Sequence, residues 1–542
     1  MEYISKDHFS ILKNYLMNDP IIDYFEMNKN NYQKDDEKSF KRYILNENNK
    51  YRENFLNQLI ELSQLDISKE NSINETINKI KNNDKLIING KLLNQKDNLI
   101  INCDIIIKNK LFRKLFPKII NIPFHLILKR DDYLLINLTY STVNFSIDLK
   151  NINNDNLIFY KKCKLYEFQK IFNQYTKYQS KCFIMAKEYK YKNINLEKKD
   201  FIGYVTKDDK LIQKIRNAKK WIKFFHNNFS ELRIYPEPSC NELYPNMNNH
   251  ESEWENEKKK LAEKIKEITL IWNISYEQRC NFINNNIKCW DNPKLLKELK
   301  ETKNKNIQEK IIHMNQQNDI IISPRINISQ KFKNILEGKK CEIFFDIESF
   351  LSFDEKNGLF DDIHPIKEPN LAIIGILYKN NYKDFTIEDF SIQSEKRIIE
   401  DFIKYLNYIS KNEIIYIYHW GHAEMNYFNY IYKNYSYLEF PKIELINILD
   451  YFRTEPIIIH GIFNFGLKSI GTALYRHKLI QTTWNKNDNG LETMINFKEK
   501  CKNNKKNIPL KRYIEIKDII DYNRIDCQVL YEIIQFLRKK YI

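Results

Sequence analysis

The apolar segment CEIFFDIESF, residues 341–350, constrains the fold more than any other stretch of this chain. Its bulky and aromatic residues predict a buried strand, and two carboxylates, Asp346 and Glu348, stand two positions apart near its end. Side chains at positions i and i+2 of a strand point to the same face, so the two acids project together. Buried like charges cost free energy unless a positive charge lies between them, and a bound divalent cation would supply it.

The patterns around this segment predict the layout of the C-terminal region. Strands, an amphipathic helix, a fourth strand and a long terminal helix follow one another. They are predicted, in order, at 370–379, 383–392, 394–409, 413–420 and 518–542. The segment KIELINILD fits either a strand or a helix. Three strands, a helix, a strand and further helices is the element order of a ribonuclease-H-like fold.

The terminal helix supplies further candidate site residues. In YNRIDC, Tyr522 and Asp526 are four positions apart and so share one helix face. Asp526 would meet Asp346 and Glu348, and the Tyr522 phenol, one turn away, could hold a water. Carboxylates that hold two cations in this way suit hydrolysis of a phosphodiester, in which one cation activates water and the other stabilises the leaving oxygen.

Asp-x-Glu followed by Tyr-x-x-x-Asp resembles the first and third motifs of the DEDDy-type 3′–5′ exonucleases. The second motif falls in YHWGHAEMNYFNY, where Glu424 stands in place of the usual Asp. His419 and Glu424 loosely resemble the His/Tyr-x-x-x-Glu pattern of the YprB-like ribonuclease-H-like domains. The segment FNFGLKSIGTAL resembles the Leu-Lys-Ser stretch before the last helix of these nucleases, and its Lys468 is a candidate phosphate contact.

This resemblance covers about residues 338–542 and implies the roles of the site residues. Two Mg²⁺ or Mn²⁺ ions would be bound by four carboxylates, and Tyr522 would orient the attacking water. The implied ligands are Asp346, Glu348, Glu424 and Asp526.

An earlier run of strands, then a helix at 160–178 and another strand, predicts a separate α/β unit. The stretch LIINGKLLNQKDNLIINCDIIIKNKLF resembles the opening of RecB-type PD-(D/E)xK nucleases, and Asp104 matches their first metal-binding aspartate. In one register Asn137 and Thr139 replace the acid and the lysine of the next motif, so that the catalytic site has been lost. In a rival register Asp148 and Lys150 supply them.

The predicted organisation is therefore α/β throughout, with four parts. They are an N-terminal helical region at 1–80, a RecB-like unit at 81–204, a helical spacer at 205–335 and a ribonuclease-H-like domain at 336–542. In the spacer, 251–272 is predicted to be one helix with lysines 258–260 on a solvated face. The whole arrangement resembles predicted RecB-family nucleases of bacteria and of large DNA viruses.

Composition adds little to this interpretation. The net charge of +16 agrees with nucleic-acid binding, but the chain is rich in Asn, Lys and Ile throughout, as AT-rich genomes encode. The nine cysteines form no zinc-site pattern and fit reduced thiols. No signal-peptide or membrane-span pattern is present. A soluble intracellular protein is expected, in the cytoplasm, or in the host cytoplasm if the chain is viral.

Two classes of function remain open. The first is a metal-dependent nuclease, a 3′–5′ exonuclease acting through the C-terminal domain on DNA or RNA. The second is a non-catalytic nucleic-acid-binding or scaffold protein built from two nuclease folds that have lost activity. A nuclease site in the first unit, formed by Asp104, Asp148 and Lys150, is a third possibility.

Overall fold

The chain is a mixed α/β protein that divides into two units between Ile265 and Lys266. A computed structural model describes residues 7–35, 39–119, 128–146, 149, 151–192, 194–196, 200–250, 252–299, 304–317, 321–324, 327–350, 369–484, 494–495, 497–500 and 510–542. The predicted spacer at 205–335 is therefore divided between the two units. Within the described residues, no helix combines the length and the apolarity that a bilayer crossing needs.

Unit 1 contains a seven-stranded sheet. Its elements are β1 (Asp7–His8), α1 (Lys13–Leu16), α2 (Ile21–Met27), α3 (Ser39–Ser63), α4 (Ile73–Lys81), β2 (Leu86–Asn94), β3 (Leu99–Lys108), α5 (Asn109–Leu115), β4 (Tyr133–Asn144), α6 (Asn156–Phe172), β5 (Ser180–Tyr191), β6 (Ile194–Leu196), β7 (Gly203–Tyr204), α7 (Asp209–Asn228) and α8 (Glu255–Ile265). Strand β3 pairs antiparallel with β2 and β4, and β4 pairs parallel with β5 across α6. The predicted strands, helix and following strand are confirmed.

Two sequence expectations fail at α8. The helix ends at Ile265 because Lys266 adopts a left-handed backbone (φ 54°) and Glu267 caps a separate 3₁₀ turn at Ile268–Leu270. Lys258 is fully buried, not solvated: its Nζ donates to Oδ2 of Asp19 at 2.7 Å and to the carbonyl of Asn249 at 2.5 Å. One of the three lysines thus forms a buried ion pair with Asp19, which the charge pattern of the sequence does not reveal.

Unit 2 contains a five-stranded mixed sheet and a two-stranded one. Its elements are α9 (Tyr276–Asn284), α10 (Leu295–Glu298), α11 (Lys305–Gln316), β8 (Ile322–Ser323), α12 (Gln330–Leu336), β9 (Glu342–Ser349), β10 (Leu371–Tyr378), β11 (Asn381–Thr386), α13 (Ile392–Ser410), β12 (Ile415–His419), α14 (Ala423–Asn434), β13 (Ile443–Asn447), α15 (Ile448–Thr454), β14 (Ile458–Ile459), α16 (Leu467–Arg476) and α17 (Ile514–Tyr541). The larger sheet has the order β11-β10-β9-β12-β13.

Strand β9 lies at the centre of this sheet. It pairs antiparallel with β10 and parallel with β12, while β10 pairs antiparallel with β11 and β12 parallel with β13. The predicted three strands, helix and fourth strand are confirmed, and the first three strands form an antiparallel meander. The ambiguous segment KIELINILD contains a strand and then the start of a helix, because β13 ends at Asn447 and α15 begins at Ile448.

The two faces of the larger sheet are covered by different apolar clusters. Phe344 belongs to the cluster that contains Leu530 and Ile533 of α17, whereas Phe345 belongs to the cluster that contains Phe402 of α13. Alternation along β9 therefore turns Phe344, and the acids two and four positions after it, toward the face that α17 covers.

Candidate metal centre

Strand β9 and helix α17 together bring three carboxylates to one place, as the sequence predicts. Oxygen atoms of Asp346, Glu348 and Asp526 all lie within 4.8 Å of one another. We call these three residues the acidic cluster. Glu348 and Asp526 are 8% and 9% exposed, so the cluster has little water with which to screen its charges.

Burial and mutual repulsion hold protons on this cluster. Burial, followed by the charge of Asp526, raises the pKa of both Asp346 and Glu348 well above the usual range of carboxyl groups. Three carboxylates at these separations repel one another when ionised. The arrangement is therefore unfavourable near neutral pH without protons or a cation.

Glu424 adds a fourth carboxylate beside the acidic cluster. It lies in the first turn of α14, is 7% exposed, and its charge further raises the pKa of Asp346 and Glu348. Its buried Oε2 has no hydrogen-bond partner among the described residues. A buried carboxylate oxygen without a donor is costly, and a cation is a natural partner for it.

His419 lies next to this oxygen at the end of β12. It is completely buried, and its Nδ1 is 3.6 Å from Oε2 of Glu424. Neither ring nitrogen has a hydrogen-bond partner among the residues that the structure describes. Both ring nitrogens of His419 and Oε2 of Glu424 are thus buried at the site without a hydrogen bond from any described residue.

A neutral amide from α17 separates two of the carboxylates. Nδ2 of the buried Asn523 donates to Oδ2 of Asp346 at 2.7 Å, and the same side chain hydrogen-bonds to Glu348. Oδ1 of Asn523 accepts a hydrogen bond of 2.9 Å from the hydroxyl of Tyr382. Asn523 therefore orients the two β9 acids without adding charge.

Gly375 makes room for that amide. It pairs with Asp346 across β9 and β10, and a Cβ at this position would come within 1.6 Å of Oδ1 of Asn523. No side chain larger than hydrogen fits there while Asn523 keeps its place. The glycine is required by this close approach of the helix to the sheet.

Asp526 is oriented by Trp484, whose indole Nε1 donates to its Oδ1 at 2.7 Å. The segment before Trp484 is fixed to α17 by Glu532, which accepts hydrogen bonds from the backbone amides of Gln481 and Thr482. The indole ring lies so close to Gly471 that a Cβ there would approach it within 2.9 Å. This support places a neutral donor, not a charge, on the third carboxylate.

The remaining predicted residues lie as follows. Tyr522 is one turn before Asp526 on α17 and half-buried at the margin of an apolar cluster. Lys468 has an exposed side chain in the first turn of α16.

In unit 1, Asp104 is buried and already engaged. Its Oδ1 is 2.8 Å from a guanidinium nitrogen of Arg52, and its Oδ2 accepts the backbone amide of Leu138 at 2.7 Å. Asn137 carries an amide rather than a carboxylate, and its Oδ1 accepts a hydrogen bond of 3.3 Å from the backbone amide of Asp104. Thr139 is buried on the same strand. Asp148 and Lys150, of the rival register, lie outside the described residues.

Sequence reasoning missed the residues that hold the carboxylates in place. Asn523 stands next to Tyr522 in YNRIDC, and its position three residues before Asp526 was an available signal, because i and i+3 share a helix face. Trp484 and Gly375 carry no comparable signal, since they reach the site only through the tertiary fold. No protein-family model, no curated protein sequence and no solved structure matches the chain.

Proposed function

We propose that unit 2 is a divalent-metal-dependent nuclease that hydrolyses phosphodiester bonds of DNA or RNA, acting as a 3′–5′ exonuclease. The observation that carries the proposal is the convergence of Asp346, Glu348 and Asp526 within 4.8 Å, beside the buried Oε2 of Glu424, which has no hydrogen bond from the described residues. Such a set of carboxylates suits cation-assisted phosphodiester hydrolysis.

The sheet of unit 2 supports assignment to the ribonuclease-H-like folds. Its first three strands form an antiparallel meander, and after α13 the fourth strand pairs parallel with the first. The positions of the residues that resemble the DEDDy-type motifs agree with this assignment. The acids of β9 are at the centre of the sheet, Glu424 follows the fourth strand, and Asp526 is on the last helix.

The donor set fits two Mg²⁺ or Mn²⁺ ions. All four proposed ligands, Asp346, Glu348, Glu424 and Asp526, offer carboxylate oxygen, which hard divalent cations prefer. The buried Oε2 of Glu424, to which no described residue donates a hydrogen bond, is a second observation that favours a bound cation. When bound, the two ions would neutralise the carboxylates and supply charge stabilisation and activation of water for hydrolysis.

The chain's own side chains would prepare this chemistry. Asn523 and Trp484 hold Asp346 and Asp526 in fixed orientations, so little reorganisation is needed on loading. Tyr522, one helical turn from Asp526, would orient the attacking water. Lys468 on α16 would contact a substrate phosphate.

We further propose that unit 1 is a RecB-like unit without nuclease activity, which binds nucleic acid. The engagement of Asp104 supports this, because one carboxylate oxygen is ion-paired with Arg52 and the other accepts the Leu138 amide. The replacement of the expected acid and lysine by Asn137 and Thr139 supports it as well.

The test is degradation of 3′- and 5′-end-labelled single-stranded DNA and RNA in Mn²⁺. The wild-type chain is compared with Asp346→Asn, with Asp104→Asn and with Asp401→Asn, an exposed acid of α13 that serves as the matched control. We expect Asp346→Asn to lose activity by at least about 10³-fold while the control stays active; label release from the 3′ end identifies the polarity.

Each other outcome assigns a different function. Loss of activity only in Asp104→Asn would move the enzyme to unit 1. Binding without cleavage by the wild-type chain on every substrate would favour the non-catalytic alternative.

A further inference from the structure

A cavity of about 700 Å³ lies in unit 1, away from Asp104. Its walls are the turn between β2 and β3, one face of α6 and one face of α7. Six cationic side chains line it against two acidic ones. The cations are Lys96, Lys170, Arg216, Lys219, Lys220 and Lys223.

The two acids are already engaged inside the wall. Lys219 lies 2.8 Å from Oδ2 of Asp97 and 2.5 Å from Oε2 of Glu167. Although burial alone would raise it, the hydrogen bond from Lys219 lowers the pKa of Asp97, so this acid is ionised. Lys170 and Lys223 also lie 3.3 Å and 3.7 Å from oxygens of Glu167 and Asp97, so six cations face two carboxylates and leave an excess of four positive charges.

Four of the six cations lie along one face of α7. Arg216, Lys219, Lys220 and Lys223 follow the spacing i, i+3, i+4, i+7, which aligns them over about 10 Å of helix. Like charges at these spacings repel and destabilise a helix. A bound polyanion would remove that cost, whereas solvent only screens it.

The opposite wall offers aromatic surface. Tyr166 and Tyr175 line the cavity and are half-buried, and Nζ of Lys207 lies 5.9 Å from the centroid of the Tyr166 ring. Basic side chains beside aromatic rings are the combination with which proteins bind single-stranded nucleic acid, since phosphates pair with cations and bases stack on rings. An inorganic polyanion would use only the first of these.

We propose that this cavity binds single-stranded nucleic acid, with phosphates along Arg216 and Lys220 of α7 and a base against Tyr166 or Tyr175. The proposal rests on the proposed function only for the class of ligand. It concerns binding in unit 1, and binding is measurable where cleavage cannot occur.

The experiment measures anisotropy of fluorescein-labelled (dT)₂₀ and (rU)₂₀ with the full chain in EDTA. Asp346→Asn is the parent, so that no nuclease activity enters. This parent receives the double substitution Arg216→Gln/Lys220→Gln. A matched control, Lys110→Gln/Lys114→Gln, neutralises two exposed cations at the same i, i+4 spacing on α5. We expect several-fold weaker binding, and a salt slope lower by about 1.4, only in the α7 pair, because each lost phosphate contact removes about 0.7 from the slope.

A second variant separates nucleic acid from other polyanions. Tyr166→Leu/Tyr175→Leu is expected to weaken (dT)₂₀ at least about tenfold, consistent with the free energy of base stacking on an aromatic ring, while leaving competition by inorganic polyphosphate unchanged. Equal salt slopes in the α7 and α5 pairs would overturn the proposal, as would a parent chain that binds neither oligonucleotide. If Tyr166→Leu/Tyr175→Leu leaves the oligonucleotide affinity unchanged, the cavity is a general polyanion site and the assignment to nucleic acid is overturned. If the wild-type chain cleaves no substrate but the parent chain still binds the oligonucleotides through this cavity, only the proposed function is contradicted.

Discussion

The side-chain amide of Asn523 donates a 2.7 Å hydrogen bond to Oδ2 of Asp346 and hydrogen-bonds to Glu348 as well. Tyr382 fixes the amide by donating to its Oδ1 at 2.9 Å. A neutral group thus lies between two acids that repel each other in a buried site. The charge of the site depends on this residue being an amide.

We expect Asn523→Asp to destabilise the metal-free protein at pH 8, because it adds a further carboxylate of the same shape to a cluster whose pKa values are already raised. The penalty should shrink at pH 5, where the site can take up a proton. Thermal unfolding in EDTA at both pH values measures it. Asn381→Asp, at the exposed first residue of β11, is the control; an equal, pH-independent loss in both variants would contradict the charge argument.

Gly375→Ala should displace Asn523, since the new methyl group would come within 1.6 Å of its Oδ1. Both atoms belong to packed elements, so we expect a loss of about 3 kcal/mol in the free energy of unfolding, at the upper end for overpacking. Urea denaturation measures this loss. Gly338→Ala is the matched control, because nothing lies within 4 Å of a Cβ there. A similar midpoint for both variants would refute the close approach.

Trp484→Phe removes the indole donor from Asp526 while keeping an aromatic ring. We expect Mn²⁺ affinity to fall about tenfold, as when an outer-shell hydrogen bond to a metal ligand is lost. A Mn²⁺ titration followed by electron paramagnetic resonance measures the dissociation constant. Trp290→Phe, with 8% exposure against 7% for Trp484, controls for the loss of indole volume. Equal Mn²⁺ affinity in the two variants would exclude a role of Trp484 at the metal.

The sequence was sufficient to predict the site where its residues follow a local period. Asp346 and Glu348 share a strand face, Asp526 has a defined place on a helix, and both elements formed as predicted. Alternation and helical spacing are properties of the backbone, which is why they can be read without a partner element. Their convergence within 4.8 Å was expected only through the resemblance to a ribonuclease-H-like fold, because the local periods do not set the order of strands in the sheet.

The residues that support those carboxylates could not be predicted from local periodicity. Trp484 lies 42 positions from Asp526, and Gly375 is meaningful only because a helix amide lies against its Cα. Lys258 shows the same limit in unit 1, since a lysine among lysines looks solvated until its long-range partner Asp19 is known. Contacts of this kind depend on packing between elements that are distant in the chain, and the spacing of apolar residues in the sequence does not predict them.

Lys258→Met tests that buried pair. Removing the ammonium leaves Asp19 as an uncompensated buried charge, so we expect a loss of about 3–5 kcal/mol at pH 8. Burial raises the pKa of Asp19 to about 6 even beside Lys258, so protonation at pH 5 should recover part of the loss. Chemical denaturation at both pH values measures it, with the exposed Lys259→Met as control. Equal stability of the two variants would contradict the structure of α8.

The acidic cluster itself predicts opposite pH trends without and with metal. Its native pKa values are raised, so the folded state binds more protons than the unfolded state above the ordinary carboxyl value of 3.8 to 4.5. Stability in EDTA should therefore fall as pH rises from about 4 toward 8. Asp346→Asn removes one of these charges and keeps an acceptor for Asn523. We expect it to melt higher than wild type in EDTA at pH 8, by about 2–4 °C for each kcal/mol relieved.

Adding Mn²⁺ should reverse the order of the two proteins. The cation binds the ionised carboxylates and competes with protons, so the gain in Tm of the wild type should be larger at pH 8 than at pH 5. Asp346→Asn should gain little at either pH, while Asp401→Asn should follow the wild type. A wild-type chain whose Tm is the same in EDTA and in Mn²⁺ at pH 8 would show that the four carboxylates hold no cation, and the nuclease proposal would fail with it.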